Sequence, residues 1–442
     1  MAEVAPTIGQ RLWAPRAWVQ GRWQDDVLLE VASDGTWLRV DPDTPRTPAM
    51  QTLPGPVLPG LVNAHSHAFQ RAFVGLAERR DGEHDDFWSW RDRMYGVALT
   101  IAPERLQRVA TQLYAELLRG GYTQVCEFHY LHHAPDGSHY GDPLAMSRAL
   151  VQAARDTGIG LTLLPVLYER AGFGAAGLRD DQRRFATTAD EVLALRDGVR
   201  ALQLPHVSAG VAIHSLRAAR ASSMLGLVEH LQGDAAPIHI HIAEQTAEVD
   251  DCVAATGLRP IEWLSRHVPL DARWQLVHAT HATPGEIDTV AAGGAGVVLC
   301  PSTEANLGDG VPDLPRWLAS RTPLSIGSDS HVTRDWREEL RLLEYSQRLT
   351  LRQRNVAAAP ACGEPSTAAR LFERMLAGGA TAAGLAAAGL REGARADLLV
   401  VDTDDPALAD RDDHHLLDTL VFSSPTRPFA RVMMGGRWAV GG

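Results

Sequence analysis

LPGLVNAHSHAFQR, residues 58–71, decides the fold. An apolar run of strand length leads directly into His65 and His67, which stand two residues apart. In an extended strand, side chains at i and i+2 point to the same side, so both imidazoles face one way at the strand's end. Seven more apolar runs follow: YTQVCEF (122–128), GLTLLPVLY (160–168), VSAGVAIH (207–214), APIHIHIA (236–243), WQLVHAT (274–280), AGVVLCP (295–301) and PLSIGSD (323–329). Helix-period segments such as PERLQRVATQLYAELLRGG (103–121), ADEVLALRDGVRAL (189–202) and TPGEIDTVAAGG (283–294) separate them. With VLPGLVNA (57–64) as the first strand, the alternation predicts an α/β fold, a parallel (β/α)8 TIM barrel rather than an open doubly wound sheet.

On either side of these runs the texture changes. Residues 11–54 contain short alternating stretches broken by Gly, Asp-Gly and Pro, and REGARADLLVVD (391–402) and VMMGGRWAV (432–440) return to that pattern. Such stretches read as short strands. Residues 57–389 are therefore expected to form the barrel domain, and residues 1–56 and 390–442 to pair into one small β-sandwich.

Composition narrows the function. The chain has 442 residues, 45% hydrophobic and 22% charged, as in ordinary globular proteins. Its formal charge of −12 argues against nucleic acid or an anionic membrane as a partner. All 42 basic residues are arginine. The absence of lysine excludes Schiff-base, pyridoxal and Walker-type phosphate chemistry, and also a carbamylated lysine bridging two metals. Cys126, Cys252, Cys300 and Cys362 are too scattered for a disulfide framework or a cysteine-built zinc site. Neither a signal-peptide core nor a membrane span is expected, which predicts a soluble cytoplasmic protein.

In a barrel, reactive groups sit at the C-terminal ends of the strands. The predicted ends carry His65 and His67, His214 with Arg217 beyond it, His239 and His241 followed by Glu244, His278 and then His281, and Asp329. An H-x-H pair alone is weak, because 18 histidines produce such pairs by chance. The conjunction of a pair, a third histidine and an aspartate at successive strand ends is stronger. Of the second pair, His241 lies nearer the rim and Glu244, and His239 lies deeper. Three neutral imidazoles and a carboxylate (His65, His67, His241 and Asp329) suit one zinc-type divalent ion. Such an ion activates water at neutral pH. Asp329 and His278 are placed to hold and deprotonate that water, and Glu244 to pass the proton to a substrate nitrogen. Glu244 would otherwise be an acid at the start of a helix.

The segments LPGLVNAHSHAFQR, HIHIAEQ (239–245), LVHATH (276–281), CPSTEANLGDG (300–310) and SIGSDSH (325–331) resemble the amidohydrolase superfamily over essentially the whole chain. More narrowly, HSHAFQRAFVGLAER (65–79), FWSWRDRMY (87–95), EFHYLHH (127–133), HSLRA (214–218) and GSDSH (327–331) resemble the formimidoylglutamate deiminase family. That resemblance implies a barrel with a β-sandwich and one zinc on His65, His67, His241 and Asp329. It puts proton handling on Glu244 and His278 and substrate binding on Gln70, Arg91, Tyr130, His214 and Arg217. It also implies a homodimer acting in histidine degradation on a small-molecule dicarboxylate, N-formimino-L-glutamate. Two carboxylates call for fixed cations, and Arg91 and Arg217 offer bidentate forks, with Arg93 a close competitor to Arg91. The aromatic FWSWRDRMY segment is expected to be a loop whose Trp88 and Trp90 pack over the site. His129, His132, His133 and His139 are read as loop residues, and His281 and His331 as partners that orient ligands. Two alternatives stand beside this reading: a related aminohydrolase acting on a guanine, cytosine or triazine ring, and a non-catalytic scaffold of the same fold.

Overall fold

The computed structural model of the chain describes residues 8–80, 85–408 and 413–441. Ile8–Val19 (β1), Arg22–Ala32 (β2), Trp37–Asp41 (β3), Gln51–Thr52 (β4) and Val57–Leu58 (β5) come first. Leu61–Ser66 (β6), Tyr122–His129 (β7), Gly160–Leu167 (β8), Val207–Ala209 (β9), Val211–Ile213 (β10), Ile238–Ile242 (β11), Trp274–His278 (β12), Gly296–Leu299 (β13) and Leu324–Ile326 (β14) form the barrel wall. Leu398–Val401 (β15), Phe429–Met434 (β16) and Arg437–Val440 (β17) complete the strands.

The wall runs β6-β7-β8-β10-β11-β12-β13-β14, all parallel, with β9 paired to β8 just ahead of β10. Its strands are buried along their length apart from the start of β9, which is why they read as continuous apolar runs. The seam between β14 and β6 is joined at the rim. Asp329 N donates to His65 O at 3.0 Å, and His67 N donates to Asp329 O at 3.2 Å. Gly327 makes this approach possible, because a Cβ there would lie 2.6 Å from His65 Cβ and 2.8 Å from its backbone nitrogen. At the opposite end, the C-terminus of helix Thr367–Ala382 plugs the barrel, its last carbonyls receiving His239 Nε2 (2.8 Å) and Thr162 Oγ1 (3.0 Å).

Strands from both chain ends share one separate sheet, ordered β17-β16-β15-β5-β1-β2-β3, with β4 on β1. It curls until Thr36 bridges Arg395, around a small core that includes Leu12, Val27, Leu29, Trp37, Leu398 and Met433. One detail departs from the sequence reading. Val57 and Leu58 do not open the first barrel strand; they pair with β1 and β15 instead. Pro59-Gly60 interrupts the run, since Pro has no N–H to give a ladder. No helix of the described residues is long and apolar enough to cross a membrane.

Candidate active site and metal centre

Four strand ends converge at the rim. The end of β6 brings His65 and His67, β11 brings His241, β12 brings His278, and the residues after β14 bring Asp329. His65 Nε2 lies 3.1 Å from His67 Nε2 and 2.9 Å from His241 Nε2. Asp329 Oδ1 lies 3.3 Å from His67 Nε2 and 3.6 Å from His65 Nε2. A tetrahedral ion with ligands at ~2.0–2.1 Å has edges of about 3.3 Å between its ligand atoms, close to these four separations; the ligand atoms gather in two triads that share His65, one with His67 and Asp329 and one with His241 and His278.

The tautomers also fit. His67 Nδ1–H donates to the Phe128 carbonyl at 2.9 Å, and His241 Nδ1–H donates to the His214 carbonyl at 3.0 Å. Each Nε2 is left with a lone pair aimed at the common point, as outer hydrogen bonds to metal ligands arrange. His65 Nδ1 has no partner, so packing against Phe128 and His67 holds its ring. All three imidazoles are kept neutral. Burial pulls His67 down to about 3, and burial reinforced by neighbouring histidines holds His65 and His241 well below their usual range. Buried lone pairs that meet only one another are what a divalent cation satisfies. Asp329 shows the complement: burial, with Glu244 and Glu304 adding to it and His278 opposing, pushes its carboxyl up to about 7.

His278 stands beside this cluster. Its Nε2 is 3.7 Å from both Glu244 Oε1 and Asp329 Oδ2, and its Nδ1–H donates to Glu304 Oε1 at 3.3 Å. Burial disfavours its charged form, yet Glu244, Cys300 and Glu304 together hold its pKa well above the usual value. The backbone here is strained: His278, Asp329 and His331 lie at φ 70°, 47° and 66°, a region non-glycine residues enter at a cost and retain mostly at functional sites.

These groups form one wall of a narrow cavity of about 40 Å3. Gln70, Arg91, Tyr130, His214 and Arg217 all line it. Gln70 Nε2 donates to Tyr130 Oη at 2.9 Å, and the Gln70 Oε1 acceptor is left free. Arg217 is buried and, among the described residues, forms no ion pair; its Nε and Nη1 have no partner. Arg91 Nη2 approaches Asp92 at 3.6 Å, and its Nε is buried without a partner. The Trp88 ring lies under both guanidinium groups, 4.6 Å from Arg91 and 5.6 Å from Arg217. Arg93 is not a lining residue. It reaches Asp85 and the Ala77 carbonyl instead.

FWSWRDRMY is not a loop but the start of helix Phe87–Ala98. Asp86 caps it: its side chain accepts from Trp88 N and Ser89 N, and Ser89 Oγ accepts from Asp86 N. Helical spacing then puts Phe87, Arg91 and Met94 on one buried face. Trp90 lines the cavity, packed on Phe73 and Phe87. His239 is a floor residue bound to Ala382 O. His281 holds the Asp309 carbonyl at 2.9 Å, while His331 Nδ1 meets Ser328 Oγ at 2.9 Å behind Asp329. His129 and His132 pair ring to ring, as do His133 and His139, and the set gathers no metal-ligand cluster among the described residues.

Three acids were not singled out from the sequence. Glu127 accepts from Ser66 Oγ (2.7 Å) and Ala68 N (2.6 Å), locking the turn that carries His65 and His67. A charged residue inside an apolar strand was its available signal. Glu304 aims His278 and is itself held by Cys300 N at 2.8 Å. Asp309, on the following turn, is buried.

The sequence profile of the amidohydrolase family matches residues 57–439. A formimidoylglutamate deiminase of Pseudomonas aeruginosa is 46% identical over 430 residues, covering 97% of this chain and 94% of the relative. The crystal structure of an amidohydrolase from Brucella melitensis superposes with a TM-score of 0.92 at 40% identity, covering 98% of this chain and 95% of the other. An adenosine deaminase from Xanthomonas campestris, crystallised with zinc, superposes at 0.80 with 24% identity, over 98% of this chain and 93% of its own.

Proposed function

The chain belongs to the amidohydrolase family and is a hydrolase acting on C–N bonds; on that premise we propose that it hydrolyses N-formimino-L-glutamate to N-formyl-L-glutamate and ammonia. The observation that carries the proposal is the pair of buried guanidinium groups, Arg91 and Arg217, whose unused N–H donors line the same cavity as the histidine cluster. A buried cation with open donors is costly unless an anion fills it, and two of them match a dicarboxylate. The 46% identity to the Pseudomonas aeruginosa deiminase supports the same substrate.

Held by His65, His67, His241 and Asp329, a single divalent ion, zinc by the chemistry of the donor set, would supply Lewis acidity and an activated water. The chain's own residues do the rest. Arg91 and Arg217 grip the two carboxylates, each guanidinium held over the Trp88 ring by cation–π attraction. Tyr130 and Gln70 present a linked hydroxyl and amide, and His214, kept neutral chiefly by burial and by Arg217, adds an uncharged contact. Asp329 would take up the proton released by the water, with His278, whose charged form Glu244, Cys300 and Glu304 favour, holding that water in place beside it. Glu244, 3.7 Å from His278, returns one to the departing nitrogen. We further propose that the barrel expected over residues 57–389 is the catalytic domain and residues 1–56 and 390–442 the smaller one, with Val57 and Leu58 passing to the smaller one through their pairing with β1 and β15. The enzyme would work as a cytoplasmic homodimer in histidine degradation.

Ammonia release from N-formimino-L-glutamate, measured against guanine and cytosine on zinc-loaded protein, tests the substrate. Turnover of the diacid alone is expected; preference for a heterocycle overturns the proposal.

A further inference from the structure

Asp309 follows the short helix Pro301–Leu307 on a tightly held turn. Its N–H donates to Glu304 O at 2.9 Å, its carbonyl accepts from His281 Nε2, and Oδ1 accepts from Gln245 Nε2. Its other carboxylate oxygen, Oδ2, is buried and has no partner among the described residues, in a residue only 5% exposed. An unsatisfied buried acceptor costs on the order of 1–3 kcal/mol, and more when charged, so a fold that fixes one in place has a partner for it from outside the chain. The surroundings indicate which kind. One oxygen of Asp309, one oxygen of Glu244 and a nitrogen of His278 lie within 4.8 Å of one another.

The local charge points the same way. Glu244, Glu304, Asp309 and Asp329 crowd around His278, and a divalent ion in the histidine cluster leaves them in excess whatever the state of that imidazole. Burial and then Glu244, against the pull of His278, push Asp309 up to about 9; a cation placed beside the pair would favour its charged form. The two cationic arginines, Arg91 and Arg217, are joined through Trp88 and line the cavity that Glu244 and His278 also line; Asp309 lies behind that lining and meets the cavity through Glu244 and His278. The site is thus cationic at one set of groups and anionic at another.

An amidine is a strong base that carries a positive charge near neutral pH. N-formimino-L-glutamate therefore brings carboxylates on one side and a cation at the reacting carbon. We propose that Asp309 is a further substrate-binding residue: with Glu244 it forms a carboxylate pair that receives the cationic nitrogen end of an amidine. This rests on the N-formimino reading above. It also gives the site a means of releasing product, since the N-formyl group is a neutral amide with no charge to hold.

Two unreactive ligands of similar shape separate the possibilities: N-carbamimidoyl-L-glutamate, whose guanidinium is cationic, and N-carbamoyl-L-glutamate, whose urea is neutral. Calorimetry on the zinc-loaded wild type should show a preference of at least about tenfold for the cation. Asp309→Asn should remove most of that preference while leaving the affinity for the neutral ligand within about twofold, and zinc content unchanged. A variant that keeps the wild-type ratio overturns the proposal. If Asp309→Asn does not fold, the wild-type ratio decides: no preference for the cation overturns it equally. A wild type that binds neither ligand and releases no ammonia from N-formimino-L-glutamate overturns the substrate reading and this proposal with it. Tight binding with an unchanged ratio removes Asp309 alone.

Discussion

His239 and His241 share one strand and point to the same side of it, yet one is bound to the Ala382 carbonyl at the floor and the other faces His65 at the rim. Height within the barrel, not residue type, separates their roles. His241→Ala is expected to reduce bound zinc to a small fraction per chain and activity by on the order of 10³-fold or more, whereas His239→Gln should retain the ion; metal analysis of both proteins checks this. Arg217→Met should lower kcat/KM for the diacid by about 10²-fold with zinc content unchanged, because on the proposed reading the buried cation grips a carboxylate and lies outside the histidine cluster. Unchanged kinetics would remove the carboxylate grip. The clustered histidines were legible because each stands at the end of an apolar run. Glu304 and Asp309 were not, because 54 acidic residues offer too many candidates and these two act through a contact distant in the sequence or on a turn; Glu127 alone carried a signal, as a charge inside an apolar strand.

At the scale of elements, apolar runs marked the barrel strands because both faces of each are covered. Continuity of an apolar run did not reveal where a strand changes sheets, and Val57-Leu58 was missed for that reason. The aromatic segment misled differently: its helical character rests on Asp86, one residue before the quoted stretch, and on a cap whose geometry only the backbone displays. On the proposed reading that cap bears on binding, since helix Phe87–Ala98 carries Trp88 and Arg91. Asp86→Ala should cost the helix about 1 kcal/mol. The loss should appear as a severalfold higher KM with kcat less affected, measurable in steady-state kinetics. Gly327→Ala is expected to be harsher. Its methyl group would meet the His65 backbone, part the seam between β14 and β6, and lower both melting temperature and zinc content.

For the whole molecule, the predicted ion ties together strands from the first, fifth and last positions of the wall, so binding and stability are linked. Dialysis against a chelator should lower the melting temperature by several degrees, and added zinc should restore it. A free ion at 1,000 times its Kd contributes about 4 kcal/mol. An unchanged melting curve, together with absent metal, would contradict the linkage.

The outer sheet carries a consequence of another kind. Leu58 lies opposite Leu399, and β1 and β2 enclose their core only with β15 and β16 in place. During synthesis on the ribosome, the nascent chain must therefore carry an open edge of β5 and β1 through translation of the entire barrel. That edge is the segment on which a chaperone would be most needed, and where premature termination would leave an aggregation-prone fragment.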